Sequence, residues 1–369
     1  MAGSIFGTNI RISTWGESHG KAIGCVIDGF PAGMELAESD IQKLLDRRKP
    51  GTSAATTSRK EPDEVEILSG VFEGKTTGTP ISLLIRNTSQ RSSDYSEIAS
   101  YYRPGHADYG FDKKYGFRDY RGGGRSSGRE TAARVAAGAL CEKLLEKMGI
   151  KVVAYTKSIG DVEIDYDRFD EEKRLILPTA MPDEEADKRA MELIEKCRSE
   201  KDSTGGVVEC RISGVPAGIG EPVFNKLDAA LSGAVFSIGA VKAVEIGDGT
   251  YVSDRRGSEN NDAFVSGDTG ISKKTNHAGG ILGGMSDGSD IILRAYFKPT
   301  PSIACEQETV NRNGEDIKIS IKGRHDPVVV PRAVVVVESM CAMALLDLLI
   351  SNISSRAENL ICFYKEFIK

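Results

Sequence analysis

Between Tyr120 and Arg134 the chain reads YRGGGRSSGRETAAR, and from Thr131 onward the pattern becomes helical. Val135, Leu140, Leu144, Leu145 and Met148 recur at helical spacing, and Gly149 stands where a left-handed terminating glycine would. Gly122, Gly123 and Gly124 permit positive φ and close approach of backbone to a ligand, while Ser126 and Ser127 are natural N-caps. The segment predicts a glycine loop feeding a helix N-terminus, where free N–H groups and the positive end of the dipole gather. Arg125, Arg129 and Arg134 add full charges that suit a phosphate or a carboxylate. A glycine loop alone can equally be a surface turn with a solvated basic face. Three arginines at a helix start weigh against that, because cations there oppose the dipole unless an anion compensates. The identity of the anion stays open at this point.

The whole chain narrows the ligand. Its 369 residues can bury a large core, and no Pro/Ser-rich linker or low-complexity tract divides them, so one large domain over residues 1–369 is expected. A formal net charge of -6 disfavours wholesale binding of nucleic acid or an anionic membrane, leaving a small anion as the partner of a local basic site. Cys25, Cys141, Cys197, Cys210, Cys305, Cys341 and Cys362 form an odd set with no C-x-x-C pair. That fits reduced, buried thiols and a cytoplasmic location better than a disulfide framework or a zinc site. The start, MAGSIFGTNIRIS, lacks the pattern of a signal peptide and no run of 18 apolar residues occurs, so neither secretion nor a membrane span is expected.

Strand patterns at Ile10–Trp15 and Ala22–Gly29 flank WGESHGK and put His19 in a tight connection. Ser39 with Gln42 reads as a capping box for a helix ending at DRRKPG, where Arg47, Arg48 and Lys49 are favoured by the dipole alone. Val65–Val71 and Ile81–Ile85 read as strands. Asn87–Gly124 is long, polar and without regular period, yet its tyrosines with Phe111 and Phe117 predict an ordered functional loop. Strands are expected at Lys151–Ile159, Val207–Ile212, Val241–Ile246, Ile291–Phe297 and Ile317–Ile321. Helices are expected at Asp183–Lys201, exposed and peripheral, at Val223–Phe236, and at Val335–Ile353, buried with only Glu338 and Asp347 charged. This mixed order favours an α+β layered sandwich over a doubly wound sheet.

His19, His106, His277 and His325 each lie in a glycine-bearing polar segment, GESHG, RPGHAD, TNHAGG and GRHDP, which suggests a shared cleft for acid-base work. Metal binding is a rival, weakened by the absence of H-x-x-x-H spacing and of nearby cysteines, and no metal is expected. A Ser/His/Asp hydrolase using Ser126 or Ser127 with Asp326 is another, but G-x-S-x-G is missing and the serines look like caps.

FGTNIRISTWGESHG, DRRKPGTS, RPGHADYG, RDYRGGGRSSGRETAARVAAGA, AVKAVEIGDG, NHAGGILGG, KPTPSI and GRHDPVVVPRAV together resemble chorismate synthases, in order, from residue 1 to about residue 350. The resemblance implies a β-α-β sandwich, a homotetramer, and the anti-1,4-elimination of phosphate from 5-enolpyruvylshikimate 3-phosphate to give chorismate. That reaction needs reduced FMN with no net redox change. By the same resemblance Arg48, Arg103, Arg129 and Arg324 match the substrate side, and His19 protonates the departing phosphate. His106 settles flavin protonation, and Asp326 takes the C6 proton together with flavin N5. Arg125, Ser126, Ser127, Gly239, Ala240, Gly283, Lys298, Pro299, Thr300, Pro301, Ser302 and Arg324 match the flavin-binding stretches.

Two departures stand out. Ala54 replaces a frequent arginine, so Arg59 or Lys60 serves the substrate or that contact is absent. Gly239 replaces the asparagine of SINAVKG, so by the resemblance a flavin contact at this position is one that the backbone alone can make. No G-x-G-x-x-G follows a strand and no segment is left over for a nicotinamide, so an outside reductant is expected rather than bound NADP. A non-catalytic RNA-binding or nucleotide-sensing role for YRGGGRSSGR and RPGHADYG is the alternative from another class, opposed by the net negative charge and by the ordered series of motifs.

Overall fold

Alternation of apolar and polar residues builds two five-stranded antiparallel sheets in the computed structural model, which describes residues 3–51, 53, 55–56, 61–88, 97–267, 270–321 and 326–368. In the first sheet, Arg11–Gly16 and Ala22–Asp28 form a hairpin with Thr14 opposite Cys25, and Ile81–Arg86 pairs the other edge of Ala22–Asp28 with Ile85 opposite Ile23. Ile5–Phe6 and Val65–Ser69 complete it. In the second sheet the order is Val241–Ile246, Ile291–Phe297, Gly206–Ser213, Lys151–Ile159 and Val162–Glu163. Ile291–Phe297 alternates strictly, every second residue from Ile291 to Phe297 being buried.

The helix Thr131–Lys147 packs on the first sheet and on the helix Val330–Asn352, which in turn packs on the second sheet. At their crossing a Cβ on Gly138 would lie 2.2 Å from Cβ of Ser339, so only glycine lets the two helices approach this far. Glu38–Arg48 lies against Thr131–Lys147, and Leu227–Phe236 against Val330–Asn352. The two acidic residues of the closing helix are both used. The Glu338 carboxylate accepts from the Ala154 N–H at 2.8 Å and from Arg174 at 2.9 Å, and pairs with Arg47 at 2.6 Å. The Asp347 carboxylate accepts from the backbone N–H groups of Thr8, Asn9 and Ile10, at 3.0, 2.6 and 2.9 Å.

Three expectations change. The first helix begins at Glu38 with Ala37 in the cap position, where Asp40 accepts from the Ala37 N–H at 3.0 Å; Ser39 is inside the helix. The stretch read as irregular contains the helix Asp108–Tyr115, closed by left-handed Gly116. A further helix, Ala357–Phe367, follows the closing one. Arg324 and His325, and with them Ala54, Arg59 and Lys60, lie outside the described residues. Among the described residues Val330–Asn352 is the helix long and apolar enough to cross a membrane, and its apolar window is 83% buried inside the protein.

Candidate functional site

Ser18 and His19 occupy the turn between the first two long strands, closed by Gly20 N–H to Glu17 C=O at 3.0 Å and strapped by the Asn87 amide, which donates to Glu17 C=O at 3.1 Å and Gly20 C=O at 2.9 Å. The glycine loop lies directly on this turn. Gly122 has φ +61°, and a Cβ there would stand 2.5 Å from Cδ2 of His19 and 2.7 Å from Oγ of Ser18. Gly123, at φ +85°, would put a Cβ 3.0 Å from Cε1 of His106. The glycines thus let one loop pass against both imidazoles, a use more specific than the approach to a ligand expected of them.

His106 is set by the start of the helix Asp108–Tyr115. Asp108 accepts from Arg103 Nε and Nη2, each at 2.8 Å, and His106 Nδ1 lies 3.0 Å from Asp108 Oδ1. The same nitrogen is 3.0 Å from Arg103 Nη2, which has a second N–H beyond the one given to Asp108, so Nδ1 donates to the carboxylate in one tautomer and accepts from Arg103 in the other. Burial pushes His106 below its ordinary value; Asp108 opposes this, and Arg103 and Lys298 reinforce it, leaving a neutral ring at neutral pH. Burial raises the Asp108 carboxyl, but the bonds from Arg103 and His106 outweigh it and hold the group far below the usual carboxylate range.

Asp63 gathers two more of the expected arginines. Its Oδ2 accepts from Arg48 Nη2 at 2.7 Å and Nε at 3.2 Å, and its Oδ1 accepts from Arg129 Nη1. All three side chains are buried. Burial, with Arg332 and Arg129 nearby, pushes Arg48 down to about 10 against the pull of Asp63, so it stays charged at neutral pH. Arg48 is therefore held by more than the dipole of its own helix. Arg134 bonds Glu130 at 3.0 Å and Ser237 at 2.6 Å, while Arg125 reaches Thr14 Oγ1 at 2.7 Å and Gly16 C=O at 3.2 Å. Asp63 and Glu130 are thus internal anions that offset the cations at the helix start. Ser127 accepts from the Arg129 N–H, as an N-cap should, and Ser126 donates back to Gly123 C=O at 2.7 Å.

The arginines among these groups, with Ser18, His106, Ser126, Ser127 and Glu130, line a cavity of about 530 Å³. Its wall carries Arg48, Arg103, Arg125, Arg129, Arg134, Lys298 and Arg332 against Glu61, Glu130 and Asp326, an excess of positive charge in an acidic protein. Ser126, Ser127, Gly239, Ala240, Thr300, Pro301, Ser302 and His106 also line it, while His19 lies behind Gly122 and beside Ser18 at the same wall. Lys298 donates to Gly105 C=O at 2.6 Å, and Asp326 accepts from Arg332 at 2.5 Å. Pro299 and Gly283 are not on the wall; Gly283 belongs to the hairpin Ile281–Ser286. The four histidines do not share a cleft. His277 pairs with Asp248 at 2.7 Å away from the cavity wall, and His325 is outside the described residues.

Sequence reasoning missed Asp63 and Arg332. Arg332 carried a usable signal, since it stands in the first turn of a helix as Arg129 does, and its guanidinium donates to Arg48 C=O at 3.1 Å. Asp63, in EPDE, has no period or cap to single it out.

Residues 10–350 match the family model for chorismate synthase. The chain belongs to the chorismate synthase family. It is 63% identical over 359 residues to the chorismate synthase of Lachnoclostridium phytofermentans, covering 97% of this chain and 98% of that one. It is 61% identical to that of Lachnospira eligens over 99% of this chain and 100% of the relative. A crystal structure of a chorismate synthase superposes with TM-score 0.76 at 32% identity, covering 98% of each chain. Chorismate synthases are lyases of aromatic amino acid biosynthesis that eliminate phosphate from 5-enolpyruvylshikimate 3-phosphate with the help of reduced FMN. That substrate carries two carboxylates and a phosphate, and FMN another phosphate, so a wall rich in arginine is what this chemistry requires.

Proposed function

We infer that the 530 Å³ cavity is where this chain carries out the chorismate synthase reaction, the anti-1,4-elimination of phosphate from 5-enolpyruvylshikimate 3-phosphate. The observation that carries the assignment is the convergence of both histidine turns on Gly122 and Gly123, immediately before the arginines that line the cavity.

The donor set fits FMN. Arg125 and Lys298 supply charge for its phosphate, the hydroxyls of Ser126, Ser127, Thr300 and Ser302 suit a polar edge, and no atom lies within 4 Å of a Cβ built on Gly239, which leaves room in the wall. Reduced FMN held there would supply an electron-rich ring to ease cleavage of the C–O bond of the substrate without net redox change. Arg48, Arg103 and Arg129 hold the substrate anions, with Arg332 added to the sequence expectation and Arg324 retained from it. His19 protonates the phosphate as it departs. His106, neutral and oriented by Asp108, settles the protonation of the flavin, and Asp326, oriented by Arg332, accepts the C6 proton.

The two sheets with helices packed between them support a layered β-α-β sandwich, and the single buried cluster running through both sheets supports one domain over 1–369. Seven free cysteines, five of them buried, support a reducing, cytoplasmic setting. A homotetramer, an external source of reduced flavin and the absence of nucleic-acid or membrane partners complete the reading. The test is anaerobic phosphate release from 5-enolpyruvylshikimate 3-phosphate with chemically reduced FMN, oxidised FMN, or oxidised FMN plus NADPH. Turnover only in the first supports the reading. Turnover with oxidised FMN alone overturns the mechanism, and turnover with NADPH overturns the dependence on an outside reductant.

A further inference from the structure

Arg48 and Arg129 come from different helices, and both guanidiniums are buried side by side at the cavity wall. Like charges this close repel, and each long side chain has many rotamers to choose from. One carboxylate resolves both problems, because each oxygen of Asp63 takes one arginine. The remaining protein acceptors fix the far sides of the forks. Arg48 Nη1 donates to Gly128 C=O at 3.1 Å and to Thr131 Oγ1 at 3.2 Å, and Arg129 Nε donates to Asn87 Oδ1 at 2.9 Å. With five N–H groups per guanidinium, both arginines keep donors that no acceptor among the described residues uses. Asp63 is itself fully buried and adopts φ +52°, a left-handed conformation uncommon outside glycine that persists where surrounding contacts over-determine it.

We propose that Asp63 is a positioning residue for the anionic substrate, acting by clamping Arg48 and Arg129 so that their spare N–H groups are preset for its carboxylates or phosphate. The assignment rests on the cavity being the substrate site. Simple electrostatics predicts the opposite sign, since removing a negative charge beside two arginines strengthens the field for an anion. Geometry wins here because anion recognition by arginine depends on the orientation of the planar fork, and two unclamped guanidiniums turn away from each other.

The experiment is steady-state kinetics with reduced FMN on wild type, Asp63→Asn and Asp63→Glu, with FMN affinity measured separately by flavin fluorescence. For Asp63→Asn the expected result is a KM for 5-enolpyruvylshikimate 3-phosphate raised about tenfold or more, kcat within about threefold of wild type, and FMN affinity unchanged, because the arginines bind ground and transition states alike. Asp63→Glu keeps the charge but moves the carboxylate by one methylene, and is expected to raise KM less. A KM in Asp63→Asn equal to or below wild type overturns the clamp, as does a loss of FMN affinity or of kcat matching the change in KM. Should Asp63→Asn not fold, an unchanged KM in Asp63→Glu overturns it. Wild-type protein that releases no phosphate overturns the reading of the cavity itself, which separates that failure from failure of the clamp.

Discussion

Replacing Gly122 by alanine adds one methyl group, and the structure says where it goes. At φ +61° an L-residue costs roughly 1–2 kcal/mol in backbone strain. The new Cβ would also stand 2.5 Å from Cδ2 of His19, whereas non-bonded carbons rest about 3.5–4.0 Å apart. The imidazole, buried in its strapped turn, must therefore retreat by about 1 Å, and a displacement of that size at a reacting group costs about 10²-fold in rate. Gly116→Ala is the matched control: φ is +81°, so strain is comparable, but nothing lies within 4 Å of the added Cβ. The assay is phosphate release at saturating substrate and reduced FMN, with thermal melts of both variants. Gly122→Ala should lose about 10²-fold in kcat, while Gly116→Ala should melt slightly earlier and keep its turnover. Near-wild-type kcat in Gly122→Ala would refute both the packing of the loop on His19 and the acid role given to that ring.

Arg129→Ala is expected to weaken substrate binding by about 2–4 kcal/mol, because it strips one partner from a buried carboxylate and one donor from the anion; titration followed by flavin absorbance reads it directly. Asp326→Asn keeps the shape of the base, so FMN and substrate binding should persist while turnover falls by about 10²-fold or more in a single-turnover assay. The folded His106 is depressed below its ordinary value of 6.5, so its contribution to stability is complete above pH 6.5 and is lost as pH falls from there toward the folded value. His106→Gln should accordingly flatten the dependence of melting temperature on pH below 6.5.

Legibility followed local chemistry. Strands such as Ile291–Phe297 showed plainly because alternation is a short-range signal, and the helix from Thr131 because it carries start and stop residues. Ser39 misled because Asp40, one residue later, reaches back to the chain ahead of it. The basic stretch of the cavity wall was readable from Arg125, Arg129 and Arg134, since positive charge at a helix start violates a local preference. Asp63 was not, because what makes it matter is two arginines 15 and 66 residues away in the chain. His277 shared the local look of His19 and His106, and only the tertiary path of its loop sends it elsewhere.

The bonds from Thr8, Asn9 and Ile10 to Asp347 join chain positions 337 to 339 residues apart. During vectorial synthesis at about 5–20 residues per second, the first strands leave the ribosome roughly 20–70 s before their anchor exists. Until then three backbone N–H groups beside an edge strand have no native acceptor, and that edge is open to pairing with other chains. A ribosome stalled before codon 347 therefore leaves an amino terminus without the carboxylate that ties down Thr8, Asn9 and Ile10.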